Sequence, residues 1–116
     1  MEFQPHPLDS LLETLPEVDG YFEGGKAWLL QGTTHQVVFI KAGEDLEAPE
    51  HAHEEQWGLV VDGEVELTIE GETRHLTSGD VIHIPPFAKH NGKALAGGFG
   101  IDIFHQVDRF KAKPAE

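Results

Sequence analysis

The chain predicts an all-β fold, and three observations carry that expectation. Strand-like apolar runs recur roughly every 8–12 residues, glycine-bearing turns separate them, and residues 64–69 alternate strictly between apolar and polar. In that stretch Val65, Leu67 and Ile69 fall on one face and Glu64, Glu66 and Thr68 on the other, the period of two that a half-buried strand requires. Such strands, with no convincing helix within 26–107, indicate an antiparallel sandwich or small barrel.

Residues 8–15, LDSLLETL, predict a short helix capped by Asp9 or Ser10 and ended at Pro16. It is too short to stand alone, so Leu8, Leu11, Leu12 and Leu15 are expected to pack onto the body. KAWLLQ and HQVVFIK flank Gly32-Thr33-Thr34 as a hairpin, and GLVVDGEVELTIEG continues the strands. Glu70-Gly71-Glu72 turns the chain into TRHLTSG, and Asp80 opens DVIHIPP. GFGIDIFHQV is the last strand, before a polar tail expected to fray. The expected organisation is a single domain over 1–116, with an arm at 1–25, a barrel at 26–107 and a tail at 108–116.

Eight Lys and Arg against 21 Asp and Glu leave a formal charge of −13 with histidine neutral. That field repels phosphate backbones and acidic membrane surfaces, so neither nucleic acid nor a membrane is an expected partner. No run approaches the roughly 18 apolar residues of a membrane span. The N-terminus, MEFQPHPLDS, lacks the basic stretch and apolar core of a signal peptide, so a cytoplasmic location is expected. With no cysteine there is neither a disulfide framework nor a thiolate metal site.

The densest set of candidate ligands is PEHAHEEQWG, residues 49–58. His51 and His53, at i and i+2 of an extended segment, project from one face and can share a metal ion. A third imidazole, His90, follows Gly79-Asp80 and Ile84-Pro85-Pro86, a turn, a buried strand and a rigid bend that would fix its direction.

These residues resemble the two motifs of the cupin family. Gly43, His51-Ala52-His53, Gln56 and Gly63 are similar to the first motif, and Gly79-Asp80, Pro85 and His90 to the second, with residues 64–78 between them. The resemblance covers residues 30–105 and implies a double-stranded β-helix, or jelly-roll barrel. It also implies one divalent transition metal in the barrel mouth, with His51, His53 and His90 as ligands. The family commonly has glutamate where this chain has Gln56, counting back from Gly63, whereas simple alternation from His53 points Glu55 inward. The resemblance favours Gln56 as the fourth ligand, with Glu55 as its rival. Phe87 and Ala94 stand where the family commonly has glycine and asparagine.

A neutral His-His-Gln-His set leaves the ion's charge uncompensated and favours an anionic ligand in the open positions. Mn, Fe, Ni, Co and Zn all suit such donors, so the letters do not choose the metal. The expected function is therefore a metal-binding small cupin, leaning to an enzyme that uses the metal as a Lewis acid on a small anionic metabolite. Isomerase, lyase and ring-opening chemistry are the reaction types considered. The alternatives are a non-catalytic binder of a sugar or other small molecule, and an Fe-dependent dioxygenase. His83, His105, Asp102 and Glu55 are the candidate acid/base groups. A homodimer is the expected assembly, with residues 1–25 covering a sheet edge.

Overall fold

The computed structural model describes residues 3–114; the outermost residues of the expected arm and tail, 1–2 and 115–116, lie outside the described residues. Among the described residues a single short helix, α1 (Asp9–Leu12), precedes nine strands. These are β1 (Gly25–Gln31), β2 (Gln36–Ala42), β3 (Leu46–His51), β4 (Gln56–Asp62), β5 (Glu64–Ile69), β6 (Glu72–Thr77), β7 (Val81–Ile84), β8 (His90–Ala94) and β9 (Phe99–Phe104). They form two antiparallel sheets, ordered β1-β2-β9-β4-β7 and β3-β8-β5-β6. The all-β expectation holds, and the crossovers between non-consecutive strands are those of a jelly roll. Among the described residues no helix is long and apolar enough to cross a membrane.

The turns sit where glycine and proline placed them. The β1–β2 hairpin runs in register from Gly25 with Ala42 to Gln31 with Gln36. The β5–β6 turn puts both Glu70 and Gly71 in the left-handed region, as two-residue hairpin turns demand. Between the sheets, Val60, Ile82 and Ile84 pack against Leu67 and Leu76, closing one side of the barrel. A second cluster of Val18, Ala27, Leu29, Val38 and Phe104 fills the other side.

The segment around α1 lies outside this barrel. Leu12 is buried against Phe39 and Phe99, with Leu8 and Leu15 beside them, so the arm roofs the outer face of β1, β2 and β9. Leu11, expected to join them, stays exposed. The expected cap is also different: Leu8 is the N-cap residue, and it supplies no side-chain bond. Asp9 is engaged elsewhere, accepting the His6 N–H at 3.1 Å and pairing at 2.6 Å with Lys41, a buried cation on the outer side of β2. A buried cation left unpaired would be costly, so this contact ties the arm to the sheet.

Through residue 113 the C-terminal segment is tied down rather than frayed. Val18 bridges Ala112, Asp19 N–H donates to the Lys111 carbonyl at 2.7 Å, and Lys113 N–H donates to that of Glu17 at 2.8 Å. Residues 109–113 thus form a strap whose far half, 111–113, runs along residues 17–19, and Phe110 packs onto the core.

Candidate metal centre

Strand alternation alone would not bring His51 inward. Leu46 and Ala48 pair with Ala94 and Gly92 of β8, and continued alternation would aim Glu50 at the cavity. Instead the register shifts between Ala48 and His51, so that His51 pairs with His90. That bulge adds one residue to β3 and reverses its parity, and it holds Pro49, which has no N–H to lose from the ladder. The chain leaves β3 at His51, and His53 follows in the loop before β4.

The three imidazoles meet. Each offers a ring nitrogen, and these atoms all lie within 4.8 Å of one another, with ring centroids 4.2 Å apart for His51 and His90 and 4.7 Å for His53 and His90. Their other nitrogens are all committed to backbone carbonyls. Nδ1–H donates to Pro49 in His51 (2.7 Å), to Glu54 in His53 (2.6 Å) and to Ala88 in His90 (2.9 Å). A carbonyl accepts only, so each Nδ1 carries the proton and each Nε2 keeps its lone pair. The buried Nε2 of His53 has no protein partner, the kind of orphan that a bound cation satisfies. Burial pushes His53 down to about 4, offset in part by its carbonyl bond and reinforced by the Arg109 charge, and burial also lowers His90. Both rings are therefore neutral and ligand-ready at pH 7. The group could hold one metal ion.

Gln56 opens β4, is buried, and lines the same cavity of about 190 Å³ as His51 and His90. Its rival is placed elsewhere. Glu55 points away from the cavity and bonds His83 at 2.8 Å, while His83 stacks on Trp57 with ring centroids 4.0 Å apart. His105 lies against His35 in a parallel stack at 4.4 Å, outside the barrel. Three of the four candidate acid/base groups are thus withdrawn from the cavity. The reason is parity: Ile82 and Ile84 face in, turning His83 out, and Phe104 faces in, turning His105 out.

Asp102 is the exception. It sits on β9 between Val38 and Gly58, inside the barrel, and lines the cavity with Gln56. Burial raises its carboxyl to about 6, against a hydrogen bond from the Gln56 side chain and the Arg109 charge, which both pull it down. An amide side chain beside Asp102 can donate its N–H to that carboxyl and leave its oxygen free for a cation.

Sequence reasoning missed two residues of this wall. Arg109 lies in the supposed tail, yet its guanidinium sits 5.2 Å from the Phe104 ring and 5.3 Å from the Phe110 ring, with a buried Nε that has no partner. Tyr21 comes from the segment before β1; burial raises its phenol, with Asp102 adding to the effect. The available signal was aromatic: Phe110 within DRFKAKPAE and Tyr21-Phe22 within the arm are out of place in solvated segments. The three histidines thus come from β3, β8 and the loop between β3 and β4, while Gln56 and Asp102 come from the other sheet and Arg109 from the strap.

The family profile described as "Cupin domain" matches residues 36–97. Among solved structures, KdgF from Halomonas sp. is 28% identical with a TM-score of 0.70, the alignment covering 78% of this chain and 87% of that one. An RmlC-like cupin from Shewanella frigidimarina NCIMB 400 is 26% identical with a TM-score of 0.72, covering 94% of each chain. Quercetin 2,3-dioxygenase of Bacillus subtilis (strain 168) is 36% identical over 62 residues, which is 52% of this chain and 18% of that protein. The matched segments span less than a fifth of the curated relatives' length.

Proposed function

The chain belongs to the cupin domain family, and on that premise we propose that it is a metal-dependent enzyme acting on a small anionic metabolite. The observation that carries this reading is a cavity with two unlike polar walls. His51 and His90 of the triad line it from one sheet, and Asp102 lines it from the other sheet with Arg109 from the C-terminal segment. His51, His53, His90 and Gln56 would hold one divalent ion, of Mn, Fe, Ni, Co or Zn, and when bound it supplies Lewis acidity toward a carbonyl or enol oxygen.

The remaining work falls to the chain. Arg109 keeps its charge while partly desolvated, and its unpartnered Nε is suited to a carboxylate oxygen. Asp102, raised to about 6, can both accept and release a proton near neutral pH, as isomerisation, ring opening and lyase chemistry require. Ile82, Ile84 and Leu67 line the deep side of the cavity and keep it apolar, which strengthens both interactions.

A second reading, an Fe-dependent dioxygenase, is favoured by the similarity to quercetin 2,3-dioxygenase. The Asp102–Arg109 wall favours proton transfer instead. A non-catalytic binder would need the anion anchor and leave Asp102 idle. We also propose a homodimer in the cytoplasm; the assembly is supported by an uncovered apolar face described below.

Elemental analysis of untagged protein, followed by a panel of keto-acids, uronates and diketones with oxygen uptake monitored, separates these readings. The proposal expects about one metal per chain and turnover without oxygen consumption. Metal-loaded protein that turns over no member of the panel and consumes no oxygen would remove the enzyme reading.

A further inference from the structure

Gln36 is the most deeply buried polar residue described, with 0% of its surface exposed, at the inward-facing start of β2. A primary amide in that place is destabilising unless its groups are paired. Gln36 Nε2 donates to the Phe110 carbonyl at 2.9 Å, and Gln36 Oε1 accepts the Phe110 N–H at 3.0 Å. One side chain thus makes both bonds that an antiparallel strand partner would make to a single residue.

Its second donor bond goes to Gln31 Oε1 at 2.8 Å, and Gln31 is its direct cross-strand neighbour at the end of the β1–β2 hairpin. Gln31 Nε2 in turn donates to the Val107 carbonyl at 3.1 Å. The two amides therefore grip the chain at 107 and 110, on either side of Arg109. Gln36 also stands opposite Phe104, whose ring flanks the Arg109 guanidinium, so one strand position sets both the backbone and an aromatic neighbour of that cation. Farther along, the strap is held by backbone bonds to residues 17–19, which fix 111–113, while the Phe110 ring packs on the core and the glutamine amides hold the backbone at 107 and 110.

We propose that Gln31 and Gln36 form a positioning device that sets Arg109 at the distance from the histidine triad at which a ligand carboxylate is bound. This rests on the reading that Arg109 meets an anion. The glutamines themselves do not touch the ligand; they act through Phe110 and Val107.

The test uses full-length protein loaded with Co(II), titrated with pyruvate and followed by the visible absorption of the metal. Gln36→Leu should bind Co(II) as the unmodified protein does and bind pyruvate about tenfold more weakly, the scale of one charge-assisted bond. Arg109→Gln should show a similar loss, and the double variant should be no weaker than Arg109→Gln alone. Gln31→Ala, at an exposed position, is the second variant should Gln36→Leu fold poorly, and a smaller loss is expected.

Losses that multiply in the double variant, or full affinity in both glutamine variants, would overturn the positioning role while the anion reading stands. Full affinity in Arg109→Gln would overturn the anion reading and the role built on it. Amide exchange supplies a readout independent of ligand: it should rise across 107–110 in Gln36→Leu and remain unchanged at Lys113, in β4 and in β9. Unchanged exchange at Phe110 would overturn the clamp whatever the affinities show.

Discussion

Gly58 and Asp102 stand directly opposite each other on β4 and β9, and a Cβ on residue 58 would lie 2.7 Å from Asp102 Oδ1. No real Cβ is tolerated at that range, so the missing side chain makes the space the carboxyl occupies. Gly58→Ala is expected to displace Asp102 from the Gln56 amide. Metal content should stay at the level of the unmodified protein while turnover of whichever panel substrate is accepted falls at least about tenfold, as loss of a general acid/base group requires. Metal analysis beside kinetics checks it, and loss of metal in Gly58→Ala would assign the glycine to the metal side instead.

His51→Ala and His90→Ala should each lose the bound ion, read as metal per chain after dialysis. Gln56→Glu should do the opposite. A carboxylate beside the cation tightens metal binding and lowers the site's net charge, so anion affinity should fall by about tenfold. Competition with a chelator for Co(II) measures the first effect, and titration of the Co(II) form with pyruvate the second.

The metal-stripped protein should show a muted pH response between pH 4 and 6.5. Burial holds His53 at about 4, so the unfolded chain takes up a proton there that the native state refuses, and stability falls as pH falls. Burial holds Asp102 at about 6, so over much of the same window the native state keeps a proton that the unfolded chain has released, and stability rises as pH falls. The two oppose each other. Asp102→Asn leaves the histidine effect uncovered, and its unfolding free energy should drop more steeply from pH 6.5 to 4, by on the order of 2–3 kcal/mol relative to the unmodified chain. Denaturant midpoints across that range decide it.

Phe87 holds a φ of 60° and is 63% exposed, in the loop whose N–H at this residue donates to the His53 carbonyl at 2.8 Å. A bulky residue in the left-handed region is strained. Phe87→Gly should relieve that strain and stabilise the fold by up to about 1 kcal/mol, part of the gain being offset by the freer unfolded chain. A thermal melt that shifts downward would show that the phenylalanine ring supplies contacts worth more than the strain.

The outer face of β4, β7 and β9 lies beyond the reach of α1 and exposes Trp57, Leu59, Val81 and Ile103 in adjoining cross-strand rows. Covering such a face is the physical case for the homodimer. Trp57→Lys and Ile103→Lys should shift the protein toward monomer in light scattering without changing its metal content. An unmodified protein that is already monomeric would withdraw the assembly.

Much of this site was legible in the letters, and the failures have a common origin. The triad could be read because its three histidines sit in two motifs of fixed spacing, although the bulge that turns His51 inward left no local mark beyond Pro49. Ile82-His83-Ile84 and Ile101-Asp102-Ile103 present the same local pattern with opposite results. In the first the isoleucines enter the core and the polar residue leaves it. In the second the isoleucines face outward, Ile101 into the cluster beneath α1 and Ile103 onto the uncovered face, and Asp102 is turned into the cavity. Alternation assigns two faces; it cannot say which is inside when both are apolar. Arg109 was hidden for a different reason. A strap held by two glutamine side chains and scattered backbone bonds has no periodicity to detect.

The division of the cavity between the two sheets bears on how such a protein can be redesigned. The imidazoles belong to β3, β8 and their loop, whereas Asp102 and Arg109 belong to β9 and the strap. Substitutions that redraw the second set leave the imidazoles untouched, so the ligand the cavity accepts can be changed without rebuilding the histidine triad. The barrel keeps the triad and the facing wall on separate stretches of chain, and a change of ligand is best engineered at Asp102 and Arg109 rather than at the histidines.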